Sequence, residues 1–578
     1  MLRKFIIICC VFNFYLLCNS QTESCKTLSS CISQKYGCAN QFDYIIVGNG
    51  TAGATLAHFL SDPVDGKFKN TVLVLEQGPN YSNDPVILNG TLPVAFTIFR
   101  DPKYSVSQLV SANLPLLGLR GNTNFSIGRM WGGSSAHLHF FAVRGTADIY
   151  DQWASISGNN IWTFNNLLPL MKFMEDYTPN GTVPGPTRGL NGALPITQEA
   201  PVDSNAFAQA ISNATGIPLV DDYNTVDLGV SARQAWFDTQ QIRTFSSRSY
   251  LDSTVVSSEG VGVGGRKLTI FSESTVQRIL FDANDKTKTI GVEFIRNDQS
   301  QKVFINKNLI LCAGPFSPAI LQRSGVGPAS LLNSLNIPVV VDSPNVGANL
   351  QNHYGVTAAF KINNPAIPVP PIILGFLDNN SDLLRTFQII IGYPLMLDFK
   401  IVSTAGLTQD NLVTISCFNL RTRSRGTIEV PDNDPLNMPR VNYNYYSDGD
   451  LTDPNSDASM AVQMFKTIKS IGDDLSALTA GGVTLVYPEA SHFNPGNEDL
   501  LFADAQASNL ASHHYVGTCR MGTNISNGVV NGRLQVFGTK NLMIADNSIA
   551  PLPETGNTAY QAYLIALVAA KILGVQLP

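Results

Sequence analysis

Residues 48–53 read Gly48-x-Gly50-x-x-Gly53 directly behind an apolar run. That spacing suits a pyrophosphate: one glycine makes a tight turn, one lets backbone approach the phosphates, and one lets strand and helix pack closely. The helix that follows offers unpaired N–H groups to the anionic oxygens. A second apolar run, residues 71–75, ends in Glu76, whose carboxylate can accept from the hydroxyls of an adenosine ribose. Histidines supply a different capability, because an imidazole with a pKa of about 6.5 exchanges protons near neutral pH. His513 and His514 are adjacent, and His137 and His139 follow the glycine-rich stretch GRMWGGSS at 128–135. The His137/His139 pair resembles half a metal site, but no third ligand follows at a suitable spacing. No GxSxG elbow is present, which leaves a serine hydrolase without support. GVGVGG at 260–265 imitates a phosphate loop but leads into strand-like residues, not a helix.

The pattern of elements that must position these residues predicts a mixed α/β protein: a Rossmann-like dinucleotide-binding domain with an interleaved substrate-binding domain built on a β-sheet with helices. Residues 44–47 read as a buried parallel strand and 54–60 as the helix after the turn. Strands reappear at 268–271, 276–281, 290–295 and 307–311, and the last runs through Ala313-Gly314 into a helix at 317–323. Residues 136–143 alternate like a strand, which would put His137 and His139 on one face. Residues 148–176 are mixed, with helix-like 167–174, and the chain to Ala235 reads as loop-rich. A strand at 412–420 and a helix at 458–471 suit the substrate side, with specificity loops expected over 352–407. In extended backbone His513 would point away from His514. The nine apolar residues 562–570 have the length of a core helix, not of a membrane span. The expected division is 1–20 signal peptide, 21–40 cysteine-containing segment, 41–155, 236–352 and 525–578 dinucleotide domain, and 156–235 and 353–524 substrate domain.

Arg3 and Lys4, the apolar residues 5–17 and small residues before Gln21 have the three parts of a secretory signal. Its removal takes the formal net charge from −6 to −8, and the chain has no Lys/Arg run, which argues against nucleic acid and membrane partners. Three of the nine cysteines leave with the signal. Of the six left, Cys25, Cys31 and Cys38 look like a disulfide-tethered segment, Cys417 and Cys519 are open to pairing, and Cys312 sits in an apolar run as a small hydrophobe. Sequons at Asn80, Asn89, Asn180, Asn213 and Asn379 suit glycans, whereas the one at Asn49 falls in the glycine turn and should stay bare. Nothing in the sequence fixes an oligomeric state.

Six segments, in order, resemble the glucose-methanol-choline (GMC) family of flavin oxidoreductases: FDYIIVGNGTAGATLAHFLSD, GRMWGGSSAHLHFFAVRG, AGPFSPAILQRSGVGP at 313–328, NVGANLQNH at 345–353, HYVGTCRMG at 514–522 and ADNSIAPLPETGNTAYQAYLIA. The resemblance implies FAD as cofactor. Gly48, Gly50, Gly53 and Glu76 would hold its ADP half and Val276 its adenine, with Gly132, Gly133 and Asp546 near the ribityl and flavin portions and Thr51, Ala52, Arg129 and Ser134 also in the cofactor site. His514 takes the family's catalytic position and Asn557 the partner position; an amide cannot be a base but can hydrogen-bond the substrate oxygen. The N-terminus of a helix at 558–573 would favour negative charge on the flavin ring. His137 stands four residues after Gly133, where several family members attach the flavin covalently, although Leu138 replaces the asparagine many of them carry next. The implied activity is a secreted FAD-dependent alcohol oxidase, passing hydride to flavin N5 and electrons to O2 to give H2O2. A hydroxynitrile lyase using FAD structurally and a sugar dehydrogenase are the alternatives. The apolar stretch 366–374 and Phe376 suggest a pocket or lid for a small aromatic or hydrophobic alcohol or cyanohydrin.

Overall fold

The computed structural model describes residues 40–578 except 64–65, 92–96, 100, 112–121, 369, 380–382, 393–410 and 509. The proposed signal peptide and Cys25, Cys31 and Cys38 lie outside the described residues. A seven-stranded sheet runs in the order 274–281, 289–296, 299–311, 41–47, 72–75 and 268–271, with 542–544 also pairing on 299–311. Gln41–Val47 is parallel to both neighbours and buries every residue from Tyr44 onward, so its face-independent apolar run is what a centrally placed parallel strand requires. Register decides where ligands meet this sheet. Val47 pairs with Leu75 and with Leu311, and Leu311 pairs with Ile544. Four strand ends therefore lie level, and Gly48, Glu76, Ala313-Gly314 and Asp546 follow them at one crevice, the usual ligand position of an open parallel sheet. The short strand Leu542–Ile544, with three residues, carries too little pattern to be read from sequence.

The second sheet also has seven strands, ordered 483–487, 354–362, 412–419, 387–392, 373–377 and 229–232, with 510–511 on 354–362, and all its pairings are antiparallel. Helices Asp457–Leu478 and Ala206–Thr215 bury their apolar sides with it in one core cluster. Most of the described part of 352–407 is thus sheet rather than loop. The expectation of a lid at 366–374 is also corrected: Ile372, Leu374 and Phe376 pack into a core cluster with Phe141, Ile390 and Phe418, behind the wall of the cleft. The chain over 176–235 is loop-rich as expected, although it also supplies strand Leu194–Gln198, helix Ala206–Thr215 and an edge strand of the second sheet. Cys312, Cys417 and Cys519 are buried and free, so none of the three forms a disulfide. Asn49 is fully buried, while Asn89, Asn180 and Asn213 are exposed.

One buried ionic cluster ties the C-terminal helix Ala559–Ile572 to the middle of the chain. Glu175 receives Arg144 at 2.5 Å, Arg188 at 2.7 Å and the Tyr560 hydroxyl at 2.5 Å, and Arg188 also meets Asp222 at 2.8 Å. Burial alone would raise the Glu175 carboxyl, but the two guanidinium groups hold it below its ordinary value. Removing one member of such a set leaves uncompensated buried charge, at a cost of about 3–5 kcal/mol. Glu175→Gln should lower the unfolding free energy by that amount in a denaturant titration; a loss under 1 kcal/mol would show that the arginines find other partners.

Candidate active site

Backbone builds the first part of the site. Gly48 has φ +99, and a Cβ there would sit 2.6 Å from the Cys312 carbonyl oxygen; a Cβ on Gly53 would sit 1.9 Å from the Gly48 carbonyl oxygen. At Gly50, by contrast, a Cβ would meet nothing nearer than Gly133 Cα at 3.8 Å. The three glycines therefore divide into turn, open face and close packing, as the motif requires. Helix Thr51–Ser61 starts from this turn. A second glycine turn rests on the first: Gly132 donates its N–H to the Asn49 carbonyl at 2.8 Å, and Gly133 lies against Gly50. Gly132 (φ +87) and Gly133 (φ +50) then lead into a short 3-10 helix, Gly133–Ala136, after which residues 137–140 are irregular. The strand expected over 136–143 is not formed, because the two left-handed glycines and Phe140 at φ +74 break its alternation.

These turns open into a cleft of about 750 Å³. Gly48, Gly50, Thr51, Ala52, Glu76, Arg129, Gly133, Ser134, His137, Val276, His514, Asp546 and Asn557 all line it, whereas Gly132 does not and instead bonds the Asn49 carbonyl. The residues 260–265 do not. Glu76 accepts the Asn49 N–H on one carboxylate oxygen and the Gly78 N–H on the other, both at 2.7 Å. Burial pushes its pKa up to about 7 against those bonds. Asp546 accepts from Gly314 N–H at 2.9 Å, Ser317 Oγ–H at 2.6 Å and Ser548 N–H at 2.8 Å, fastening two sheet-end turns together, and burial raises its carboxyl.

His514 and its hydrogen-bonding neighbours come from three distant parts of the chain. His514 Nε2 lies 3.2 Å from Asn557 Nδ2, and His514 Nδ1 lies 2.9 Å from His353 Nδ1. Gln388, on the second sheet, donates to Asn557 Oδ1 at 3.1 Å, which turns the Asn557 amide N–H toward His514. Since that amide only donates, Nε2 of His514 is the bare nitrogen, and Nδ1 carries the proton given to His353. Asn352 accepts the backbone N–H of His514 at 2.7 Å. Burial, then the neighbouring His353, His513 and His139, push the His514 pKa well below its usual value. A depressed pKa keeps this imidazole neutral at acid pH, so with His514 as the base proposed below, the acid limb of kcat/KM should fall below the ordinary histidine range of about 6.5. A pH profile with its acid inflection at 6.5 or higher would contradict this.

His137, His139 and His513 form a second group around Phe99, at ring-centroid distances of 4.7, 5.2 and 4.4 Å. His137 Nδ1 donates to the Ser134 carbonyl at 3.3 Å, which leaves a bare Nε2 that is buried with no hydrogen-bond partner among the described residues. Burial brings His137 down to about 3 and His139 to about 4. His513 does not point away from His514; both line the cleft. Among the described residues no group of three or more His, Cys, Asp or Glu is arranged to hold a metal ion, and no helix is long and apolar enough to cross a membrane. Sequence reasoning missed His353, Gln388, Phe99 and the part His513 plays. His353 closes the 345–353 segment already singled out, so its motif was the available signal, whereas Gln388 and Phe99 reach the site through pairing and turns that no local pattern encodes.

The family profile described as GMC oxidoreductase matches this chain twice, its N-terminal part over residues 42–355 and its C-terminal part over 422–566. The chain belongs to the GMC oxidoreductase family. It is 29% identical over 572 residues to the oxygen-dependent choline dehydrogenase of Stenotrophomonas maltophilia (strain K279a), covering 92% of this chain and 95% of that protein. Its fold matches pyridoxine 4-oxidase from Mesorbium loti with a TM-score of 0.78 at 24% identity, covering 92% of this chain and 98% of the other. A fungal aryl-alcohol oxidase matches with a TM-score of 0.72 at 20% identity, covering 92% and 99%. This GMC protein is an FAD-dependent oxidoreductase acting on CH–OH donors. The residues present fit that cofactor: the open face at Gly50, the start of the helix beginning at Thr51, Glu76 at the end of its strand, and a buried, unpartnered His137 nitrogen on the glycine-turn side all border one cleft.

Proposed function

We propose that the protein is a secreted alcohol oxidase for small aromatic or hydrophobic alcohols, with His514 as its base and O2 as electron acceptor. The observation that carries the reading is the 3.2 Å pairing of a bare His514 nitrogen with an Asn557 N–H inside the cleft. An alcohol oxygen entering there accepts from Asn557 while giving its proton to His514 Nε2. Bound FAD supplies the hydride acceptor for the carbinol carbon. Asn557, Thr558 and Ala559 bring the start of helix Ala559–Ile572 to the cleft, where its N–H groups favour negative charge. His353 Nδ1 accepts a hydrogen bond from His514 Nδ1–H and fixes the ring, so that His514 is oriented from both edges.

The walls of the cleft support the substrate class. Phe99, Phe141, Ile390, Leu412 and Phe418 line the cleft, and among the described lining residues the carboxylates are Glu76 and Asp546, both already held by hydrogen bonds. A quaternary ammonium group finds, among the described lining residues, only carboxylates already held by hydrogen bonds, whereas a neutral ring replaces water on the apolar part of the wall. With peroxide detection, benzyl alcohol should exceed choline and glucose in kcat/KM by about a hundredfold, on the order of two buried methylene-sized contacts. A preference for choline or glucose would overturn the substrate class. The bare Nε2 of His137 supports covalent attachment of the flavin at that residue, which acid precipitation tests: the yellow colour should stay with the pellet, and a colourless pellet refutes it. Residues 1–20 support secretion, which cleavage after Ser20 in an exported preparation would test.

A further inference from the structure

His513 has φ +60, a left-handed conformation that a residue with a side chain keeps only where its surroundings impose it. The kink breaks strand alternation and turns two consecutive imidazoles into one cleft. They are held in opposite tautomers. For His514 the Asn557 amide leaves Nε2 bare. For His513 the deciding group is Tyr515, whose oxygen accepts from the Ser126 N–H at 3.3 Å and from the Tyr443 O–H at 3.1 Å. The Tyr515 proton is therefore free to go only to His513 Nδ1, 2.6 Å away. With Nδ1 serving as acceptor, the ring proton of neutral His513 sits on Nε2. Burial, and then His139 and His137, keep that ring neutral. Phe99 clamps it edge-on and stacks in turn on His137.

Building on the reading of His514 as base, we propose that His513 is a substrate-recognition residue whose Nε2–H donates to an acceptor oxygen carried by the substrate in addition to its reacting hydroxyl. The reacting oxygen is already served by Asn557 and His514. A plain hydrocarbon ring pressed against His513 would leave a buried donor unpaired, whereas an ether, carbonyl or second hydroxyl oxygen satisfies it. The favoured substrate is thus an oxygen-substituted alcohol rather than a simple one.

The test titrates the FAD-loaded protein by calorimetry with three pairs of aldehydes: 2-, 3- and 4-methoxybenzaldehyde, each against the ethylbenzaldehyde of the same pattern, in which a CH2 replaces the ether oxygen at nearly constant shape. In at least one pair the methoxy compound should bind about tenfold tighter or more, the discrimination expected of a site built to hydrogen-bond. His513→Phe should bring that ratio near one, and so should Tyr515→Phe, which keeps the imidazole but removes the proton that sets its tautomer. The proposal is overturned if no pair is discriminated, if none of the aldehydes binds, or if the ratio survives both substitutions. Failure of His514 as base would appear elsewhere, as unchanged flavin reduction in His514→Ala, and would leave the binding ratios as they are.

Discussion

His514→Ala should lower kcat/KM toward an aromatic alcohol by about a thousandfold, within the range that a positioned general base contributes, while the protein keeps its FAD. The loss arises because the variant has nothing in place of the bare Nε2 that faces the Asn557 amide at 3.2 Å. Cofactor retention follows from geography: the turns at Gly48–Gly53 and Gly132–Gly133 and the acids Glu76 and Asp546 hold their own hydrogen bonds without His514. Asn557→Ala should cost less, because it removes a donor to the substrate oxygen and leaves the base. If His514→Ala loses under tenfold, the proton leaves by another route, and His353, 2.9 Å from His514, becomes the residue to replace next.

The second large effect separates fold from cofactor within one motif. Gly53→Ala would force a methyl group to 1.9 Å from the Gly48 carbonyl oxygen, backbone that cannot move without undoing the turn. Overpacking of that severity costs about 3 kcal/mol or more, so the variant should unfold at markedly lower denaturant and contain no flavin. Gly50→Ala has room for its methyl group, with Gly133 Cα at 3.8 Å as the nearest atom. It should fold with nearly unchanged stability yet bind FAD weakly, because the methyl group fills the space a pyrophosphate approaches. Equal stability losses in the two variants would contradict the division of labour read from the glycines.

What the sequence made legible follows physical range. Strands at 268–271 and helix 317–323 coincide with their expected limits, since buried runs bounded by glycine or proline are local signals. The cofactor turn was legible for the same reason. His514 and Asn557 were legible as a pair through motif resemblance, although 43 residues separate them. Three things were not. The kink at His513 depends on Tyr515, Tyr443 and Ser126, which only the fold brings together. The irregular path of 137–140 overrode an alternating pattern because left-handed glycines precede it. The strands within 354–392 were read as loops because a sheet buried on both faces shows no alternation to announce it.

In the proposed function, His514 takes the hydroxyl proton while hydride leaves the same substrate for the flavin. Anaerobic stopped-flow mixing with benzyl alcohol tests it most directly. The flavin of the wild-type protein should bleach as benzaldehyde forms, and His514→Ala, with FAD bound, should bleach about a thousandfold more slowly. Equal bleaching rates in the two proteins, or cyanide release from a cyanohydrin without any bleaching by alcohols, would contradict it.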